Sequence, residues 1–487
     1  MKGDFTRTTF RKQNHYRSVR MQQGRVQLDA DWNEQMDIQA YTTEITRRDT
    51  IGACGTPKNE NGFHVRVTPD GQELVILPGR FYVDGVLCEL EAPPAIPIEE
   101  FPAGHPDRVR LPHLTAGDKP LQVDQWVFVV SQEDEAAGNP GTLVQIHTID
   151  EDTGEVTLSD DVSGYAGQTD PRLRPAITHT TQPDLPGQTP LNPVEGRNDL
   201  VYLDVWKRHV TAVEDPRIRE VALGGPDTAT RVQVLAQVRI REDAGGDSCE
   251  ADLADWPPPS GTARLSTRLE TTAPTEDLCD IVSNGGYRGL ENHLYRVEIH
   301  QGGGMDTATF KWSRDNGSIV FGIEEFLPGL PEQIRLGHPG RDATRSLAIG
   351  DWVEILGDQT ELRGEPGLLV QIQDLDRSQG IVTLSADVSA FAAQEHPRLR
   401  KWDQAGEAIP VNGGEIELED GILVEFSGDR FRTGDYWVFA ARTATREIES
   451  LTEAPPRGIH HHYCKLALIH WRQVARGWDP VIDDCRP

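Results

Sequence analysis

The sequence GTLVQI at residues 141–146 returns as GLLVQI at residues 367–372, and this recurrence decides the fold. Around it, residues 126–174 align without a gap with residues 352–400, at a constant offset of 226 residues. About half of the aligned positions are identical, which chance does not produce over such a length. The chain therefore contains a duplicated unit.

Each copy of the duplicated unit contains three runs of strand length, at residues 126–130, 143–149 and 156–158 in the first copy. Three short strands bury little apolar surface alone, so each copy must pack on further strands in a small barrel or one curled sheet. Turn glycines recur at equal offsets, and we expect positive φ there: Gly141, Gly154, Gly367 and Gly380.

The duplication has two interpretations. In one, each copy carries an equivalent binding surface; in the other, copying extended a scaffold. The identical positions are mainly turn glycines, prolines and apolar core residues rather than exposed aromatics or charges. This favours the scaffold.

The texture from residue 62 onward is typical of antiparallel strands, because short apolar runs alternate with Gly, Pro, Asp and Asn clusters. Hairpins are predicted at residues 69–71, 84–85 and 315–317, the last between the runs 310–312 and 319–321. The fold class is therefore mainly β: several small antiparallel β-sandwich or barrel modules, one N-terminal α-helix and a duplicated β module. Residues 175–197 and 242–284 are polar stretches without periodicity, and they are predicted to be linkers or long loops.

These features divide the chain into a series of predicted segments. They are an N-terminal helical attachment or oligomerisation segment at 1–55, a β module at 56–120, repeat copy one at 121–175, a central β domain at 196–330 with its long loop at 242–284, repeat copy two at 335–402, and a C-terminal β module at 403–487.

The one segment with good helical character lies near the start. Asp31 followed by Glu34 predicts a capping box, and residues 32–48 contain neither Gly nor Pro. Two adjoining apolar rows follow the predicted helix, and their width indicates burial against the chain itself or a neighbouring subunit. We therefore expect an interface formed by Trp32, Met36, Ile38, Ala40, Tyr41 and Ile45.

Composition excludes several classes of function. The 487 residues carry a formal net charge of −30, which disfavours nucleic acid and anionic membrane surfaces as partners. No run approaches the roughly 20 apolar residues of a membrane span. The polar opening lacks a secretory signal, so we expect synthesis in the cytoplasm. The six cysteines are scattered, and free thiols are expected, although Cys249 and Cys279 would be able to pair in an oxidising setting.

Motifs for chemistry are lacking. The sequence contains no GxSxG elbow, Walker loop, GxGxxG loop or HExxH helix, so we expect neither an enzyme nor a cofactor. Asp29, Asp31 and Asn33 imitate the start of a calcium loop, but helix capping explains them better. His460 and His462 would lie on one side of a strand and are metal candidates on a threefold axis. A hydrogen-bonded structural histidine cluster is the preferred interpretation.

Several distinctive blocks resemble an uncharacterised bacterial family associated with phage-tail-like contractile injection systems. The opening block is more weakly similar to N-terminal parts of phage baseplate and tail-fibre proteins, where a short helix helps subunits associate. The blocks are YRSVRMQQGRVQLDADWNEQ at 16–35, PGRFYVDG at 78–85, YLDVW at 202–206, EDP at 214–216, ALGGPDT at 222–228, YRVEIH at 295–300, TFKWSRDNG at 309–317, GDYW at 434–437 and HHHY at 460–463.

The resemblance implies an oligomer, with a homotrimer expected, built on the helix and the sheet that follows it. The leading hypothesis is a structural component of a tail-like injection particle that acts through interfaces with other tail or baseplate proteins and is released with the particle. Two alternatives stand beside it: an adhesin that binds cell-surface glycan, and a polysaccharide-degrading enzyme with two convergent acidic residues.

Overall fold

The computed structural model describes residues 1–58, 60–270, 286–337, 340, 346–475 and 477–487. The prediction of a mainly β protein is confirmed, since 37% of the chain is strand and 11% helix. Within the described residues, no helix has the length and apolar character needed to cross a membrane.

The described helices and strands follow one another along the chain as two lists. The α-helices are α1 (Asp29–Ile51), α2 (Gln132–Ala137) and α3 (Asp358–Arg363). The strands are β1 (Cys54–Gly55), β2 (Val65–Val67), β3 (Leu74–Ile76), β4 (Gly79–Val83), β5 (Val86–Leu90), β6 (Ile96–Pro97), β7 (Arg108–Arg110), β8 (Thr115–Ala116), β9 (Lys119–Pro120), β10 (Trp126–Val130), β11 (Thr142–Asp150), β12 (Glu155–Leu158), β13 (Arg172–Pro175), β14 (Ile177–Thr178), β15 (Asn198–Val210), β16 (Arg231–Arg241), β17 (Arg264–Leu269), β18 (His293–Gln301), β19 (Thr309–Ser313), β20 (Val320–Phe326), β21 (Gln333–Leu336), β22 (Trp352–Leu356), β23 (Leu368–Asp376), β24 (Ile381–Leu384), β25 (Arg398–Trp402), β26 (Ile409–Pro410), β27 (Glu415–Glu417), β28 (Ile422–Ser427), β29 (Tyr436–Arg442), β30 (Glu447–Ile448), β31 (His462–His470) and β32 (Val481–Asp484).

The chain divides into two compact units, each assembled from three separate stretches. Unit 1 comprises Met1–Thr42, Trp206–Gln233 and Pro259–His461, and unit 2 comprises Thr43–Val205, Val234–Pro258 and His462–Pro487. The predicted segment 196–330 contributes strands to both units, and so does the segment 403–487. As domain boundaries, the predicted ranges remain predictions.

Unit 1 contains a β-sandwich and a barrel. The sandwich has a five-stranded sheet, β26-β19-β18-β29-β30, and a three-stranded sheet, β17-β28-β27. Alternating residues of the two inner faces form one core, in which Tyr295 and Phe439 stack with ring centroids 5.5 Å apart. The barrel is closed, in the order β20-β21-β24-β23-β22-β25, and an apolar core fills it.

Unit 2 contains the first copy of the duplicated unit in a six-stranded sheet, β6-β13-β10-β11-β12-β7. The two copies agree in strand order, in their short helices α2 and α3, and in a register shift at Ile146/Thr148 that recurs at Ile372/Asp374. Positive φ is confirmed at Gly141, Gly154 and Gly380 but not at Gly367. Gly367 is required for space, because a Cβ there would lie 2.8 Å from the carbonyl oxygen of Ile355.

The duplication begins earlier than the ungapped alignment showed. The sequence IEEF occurs at residues 98–101 and again at 323–326, at an offset of 225 that a one-residue difference hides from the later alignment. The strand partners agree: Glu100 pairs with Arg110 in the first copy, and Glu325 pairs with Arg335 in the second. We therefore define repeat 1 as residues 96–177 and repeat 2 as residues 321–403.

Three local predictions were wrong in part. The turn at 315–317 forms, with φ of 53° at Asn316 and 62° at Gly317, but β19 and β20 enter different sheets instead of pairing. Turn chemistry fixes the backbone locally, whereas packing selects the partner strand. The predicted linker 175–197 contains β14 and the buried Leu185. The predicted loop 242–284 contains β17, and its residues 271–284 lie outside the described part of the chain.

Two disulfides correct the expectation of free thiols. Cys54 bonds to Cys464 and Cys249 to Cys485, with Cα atoms 6.1 and 5.3 Å apart and partners 410 and 236 residues apart in sequence. Cys249 therefore does not pair with Cys279, which lies outside the described residues. Cys88 is the free cysteine of the described residues, and burial raises the pKa of its thiol to about 12. Both cross-links join parts of unit 2.

We expect the substitution Cys485→Ser to lower the free energy of unfolding of unit 2 by about 2–4 kcal/mol, because a cross-link restricts the unfolded chain. Urea unfolding of the variant and of the parent chain would measure the loss. As a control, dithiothreitol should lower the stability of the parent at least as much. If Cys485 of the denatured, unreduced parent reacts with iodoacetamide, the disulfide does not exist.

Candidate functional site

Residues 1–3 of unit 1 pass over the turn that follows β19. The side-chain amide of Asn316 donates to the carbonyl oxygens of Met1 and Gly3, at 3.2 and 2.9 Å. The Lys2 ammonium lies 3.1 Å from a carboxylate oxygen of Glu298 on β18. The left-handed turn predicted from the sequence thus holds the base of the N-terminal arm, which we define as residues 1–28.

A group of buried charges surrounds this point, and we call it the ion cluster: Lys2, Arg296, Glu298, Lys311, Glu354 and Arg400. Lys311 of β19 pairs with Glu354 of β22 and lies 3.4 Å from Glu298. Glu354 also accepts from the indole N–H of Trp402, at 3.0 Å. Buried charges are costly unless paired and hydrogen-bonded, and these carboxylates have the partners they require.

The ion cluster continues along α3 and β25. Arg398 is 0% exposed and pairs with three carboxylates: Glu214 at 3.1 Å, Asp358 at 2.8 Å and Glu361 at 2.6 Å. Arg208 of β15 pairs with Asp358 and lies 2.7 Å from Glu361. Two guanidinium groups therefore share two carboxylates, so the charges balance locally.

The pKa shifts follow from this geometry. Burial by itself would raise the pKa of Glu354, but attraction to Lys311 and Lys2 outweighs burial and lowers the pKa to about 2. The pKa of Glu361 is also about 2, because Arg398 and Arg208 outweigh the effect of its burial. These acids stay ionised at neutral pH, so they hold elements together and are unsuited to donating protons.

Sequence reasoning missed the ion cluster. A signal was present in the repeats, because the strand WVFVV of repeat 1 becomes WVEIL in repeat 2. Glu354 thus stands where Phe128 stands 226 residues earlier, in an otherwise apolar strand. Phe128 packs with Val75, Leu77 and Ala176. The outer face of the duplicated unit is accordingly apolar in repeat 1 and ionic in repeat 2.

The N-terminal arm continues from the ion cluster onto helix α1. The Thr6 amide donates to Asp29, at 2.9 Å, and the Thr9 hydroxyl donates to Glu34, at 2.6 Å. The helix therefore begins at Asp29, earlier than predicted, and the capping box of Asp31 and Glu34 is wrong, because Glu34 binds the arm instead. Beyond a turn at residues 12–14, the arm returns, and the Val19 amide donates to Gln35.

The six predicted interface residues separate into two groups. Ile38 is buried within the chain, 3% exposed, and the Tyr41 ring lies 5.8 Å from the ring of Phe10. The other row points outward: Trp32 is 62% exposed, Met36 is 43% exposed, and Ala40 is exposed. Ile45 is exposed as well.

The N-terminal arm adds to this surface. Its apolar side chains Tyr16, Met21, Val26 and Leu28 are all exposed. We call these residues together with Trp32, Met36 and Ala40 the arm–helix surface. Single exposed apolar residues are ordinary, but a contiguous series along one short stretch of chain marks an interaction site.

The metal candidates have other partners. His462 lies 2.9 Å from the carboxylate of Asp84, and the neighbouring His461 ring lies 5.9 Å from the Trp206 ring. Metal binding by His460 and His462 in a trimer remains a prediction. Within the described residues, the one group with ligand spacing is Asp358, Glu395 and His396. Asp358 already pairs with Arg208 and Arg398, which would repel a cation.

The chain belongs to a family of unknown function, DUF6519. The family matches residues 1–105, 185–256 and 259–462, which include the arm–helix surface, the ion cluster and repeat 2. Most of repeat 1 lies outside the matched residues. No curated protein and no solved structure matches the chain.

The substitution Glu354→Gln keeps the shape of the side chain but leaves Lys311 with a weaker set of partners. We expect it to lower the free energy of unfolding of unit 1 by about 3 kcal/mol, because an uncompensated buried charge remains. Chemical denaturation would measure the change. The exposed Glu365→Gln is the matched control and should change stability little. Equal stability of the two variants would contradict the assigned role.

A second prediction concerns pH. Burial, with Lys311 nearby, lowers the pKa of His300 from 6.5 to about 4, so below pH 6.5 the unfolded chain binds a proton that the folded chain refuses. Stability should therefore fall as pH drops from 6.5 to 4, by about 2 kcal/mol between pH 7 and pH 5 from this group. His300→Gln should remove that part of the pH dependence, whereas the exposed His105→Gln should retain it. Denaturation curves at both pH values would decide.

Proposed function

We propose that the protein is a structural component of a phage-tail-like contractile injection particle, either baseplate-associated or part of a fibre or spike, and that it acts through protein interfaces. The observation that carries this proposal is the arm–helix surface. Trp32 and Met36 stand one helical turn apart on the outward side of α1, beside the exposed apolar residues of the arm.

The way in which this surface is held supports a role in assembly. The Asn316 amide and the Lys2–Glu298 ion pair fasten residues 1–3 of the arm, and Asp29 and Glu34 fasten its middle. A surface fixed before binding loses less conformational entropy when a partner arrives. The resemblance of residues 16–35 to the opening of tail-associated proteins falls on this same stretch.

The partners that we propose are further copies of the chain, as a homotrimer, and other tail or baseplate proteins. The net charge of −30 favours protein neighbours over nucleic acid, whose phosphates it would repel. We also propose that the chain is made in the cytoplasm and leaves the cell with the particle.

The alternatives have less support. Among the described residues, the aromatic side chains that are exposed are Tyr16, Trp32 and Tyr41, all in the arm and helix rather than on the β modules where glycan would bind. A polysaccharide-degrading enzyme needs an acid with a raised pKa. The pKa of Glu298 is held well below its usual range, because Lys2, Arg296 and Lys311 outweigh its burial.

The double substitution Trp32→Glu and Met36→Glu should convert a trimer to a monomer, because it places charges in an apolar contact. Light scattering at micromolar concentration measures the mass. Val221→Glu is the matched control, since Val221 is an exposed apolar residue of unit 1 away from the helix, and it should leave the trimer intact. A monomeric parent chain would contradict self-association.

Membership of a particle needs a separate experiment. A tagged chain expressed in its own host should sediment with particles that contain sheath and tube proteins, and electron microscopy of those particles should place density for the chain at the baseplate or a fibre. If the tagged chain sediments as a free protein in cells that produce such particles, the particle assignment is wrong.

A further inference from the structure

Unit 2 contains a cavity of about 260 Å³ on the outer face of repeat 1. Phe128, Pro140 and Ile177 contribute apolar walls, and Glu135 and Arg174 contribute the charged side. Glu135 pairs with Arg174 at 2.7 Å and is 40% exposed, so its carboxylate can still accept from a further donor. The cavity thus combines an apolar wall with one accessible carboxylate.

The equivalent place on repeat 2 shows what such a wall can hold. Four residues that line the cavity, Phe128, Glu135, Arg174 and Ala176, correspond at the offset of 226 to Glu354, Glu361, Arg400 and Trp402. In repeat 2 these four positions surround two lysine side chains, those of Lys2 and Lys311.

The contacts of these lysines are specific. The Lys311 ammonium pairs with Glu354 and lies 4.6 Å from the centre of the Trp402 ring. The Lys2 ammonium lies 5.9 Å from the same ring and interacts electrostatically with Glu354, Glu361 and Arg400. Lys2 belongs to an extended segment that crosses the outer face of the barrel. Repeat 2 therefore accepts lysine from an extended chain at this position.

Repeat 1 has the same frame without the lysines. Ala176 replaces Trp402, which leaves space, and Phe128 replaces Glu354, which leaves an apolar surface. Glu135 retains the carboxylate of Glu361 but loses one of its cations, because Arg172 pairs with Asp170 instead. Phe128, Glu135 and Arg174 all lie outside the residues that the family matches.

We propose that the cavity of repeat 1 receives a lysine side chain from an extended segment of a basic partner protein. The aliphatic part of a lysine packs on an apolar wall while its ammonium seeks an anion, and here Phe128 and Ile177 supply the wall and Glu135 the anion. The net charge of −30 draws a basic partner towards the chain and raises its rate of encounter. This site is independent of the arm–helix surface.

The test uses fluorescein-labelled decapeptides of Gly and Ser that differ only at one central residue, Lys or Gln. By fluorescence polarisation at low salt, we expect the full-length chain to bind the Lys peptide at least fivefold more tightly than the Gln peptide. Glu135→Gln should abolish this preference. Ala176→Trp, which introduces the residue found at position 402, should fill the cavity and abolish binding.

The control variant is Glu151→Gln, which removes one exposed carboxylate of repeat 1 that does not line the cavity, and it should keep the preference. Circular dichroism of each variant confirms that it is folded; if Ala176→Trp fails to fold, Glu135→Gln still decides. Equal binding of the two peptides by the parent overturns the proposal, and so does an unchanged preference in Glu135→Gln. Binding of monosaccharides in place of Lys peptides, sensitive to Ala176→Trp, would assign the cavity to glycan and also overturn it. None of these results depends on whether the helix forms trimers.

Discussion

Lys311 extends from the sandwich of unit 1 onto the outer face of repeat 2, where its ammonium meets Glu354 between two packed sheets. Neither charge is tolerable in that place without the other, because each would lose its hydration without compensation. The requirement for pairing therefore fixes how β19 lies on β22. Glu298 then has charge left to share with Lys2, and through Lys2 the start of the arm is held. The position of the exposed helix thus follows from a buried ion pair.

The two repeats show how one barrel acquires different neighbours. Their cores agree, since Val127 and Val353 occupy the same register positions and both are fully buried. Their outer faces differ by a few substitutions, of which Phe128 against Glu354 is the most consequential. An apolar face packs against any shape-matched apolar surface, whereas an ionic face demands a specific set of opposite charges. Duplication kept the interior and left the exterior free to specialise.

Much of this fold was predictable from local pattern. The repeat, its three strands and the hairpin at Asp84 follow from periodicity and turn chemistry, which act between near neighbours in sequence. The arrangement of the candidate site was not predictable. Arg208 meets Asp358 across 150 residues, and Cys54 meets Cys464 across 410 residues, and no local rule links such positions. Helix α1 lies between these cases: its existence followed from sequence, but its first residue depended on Thr6.

The discontinuity of unit 2 has a consequence for biosynthesis. Strand β15 pairs with β31, so residues 198–205 find their partners only at residues 462–470. A ribosome delivers these strands at opposite ends of a long interval, during which all of repeat 2 and the sandwich emerge. At about 5–20 residues per second this interval lasts tens of seconds. The edge of β15 must stay free of wrong pairing throughout that time, and unit 1 can complete its barrel before unit 2 is able to close its sheet.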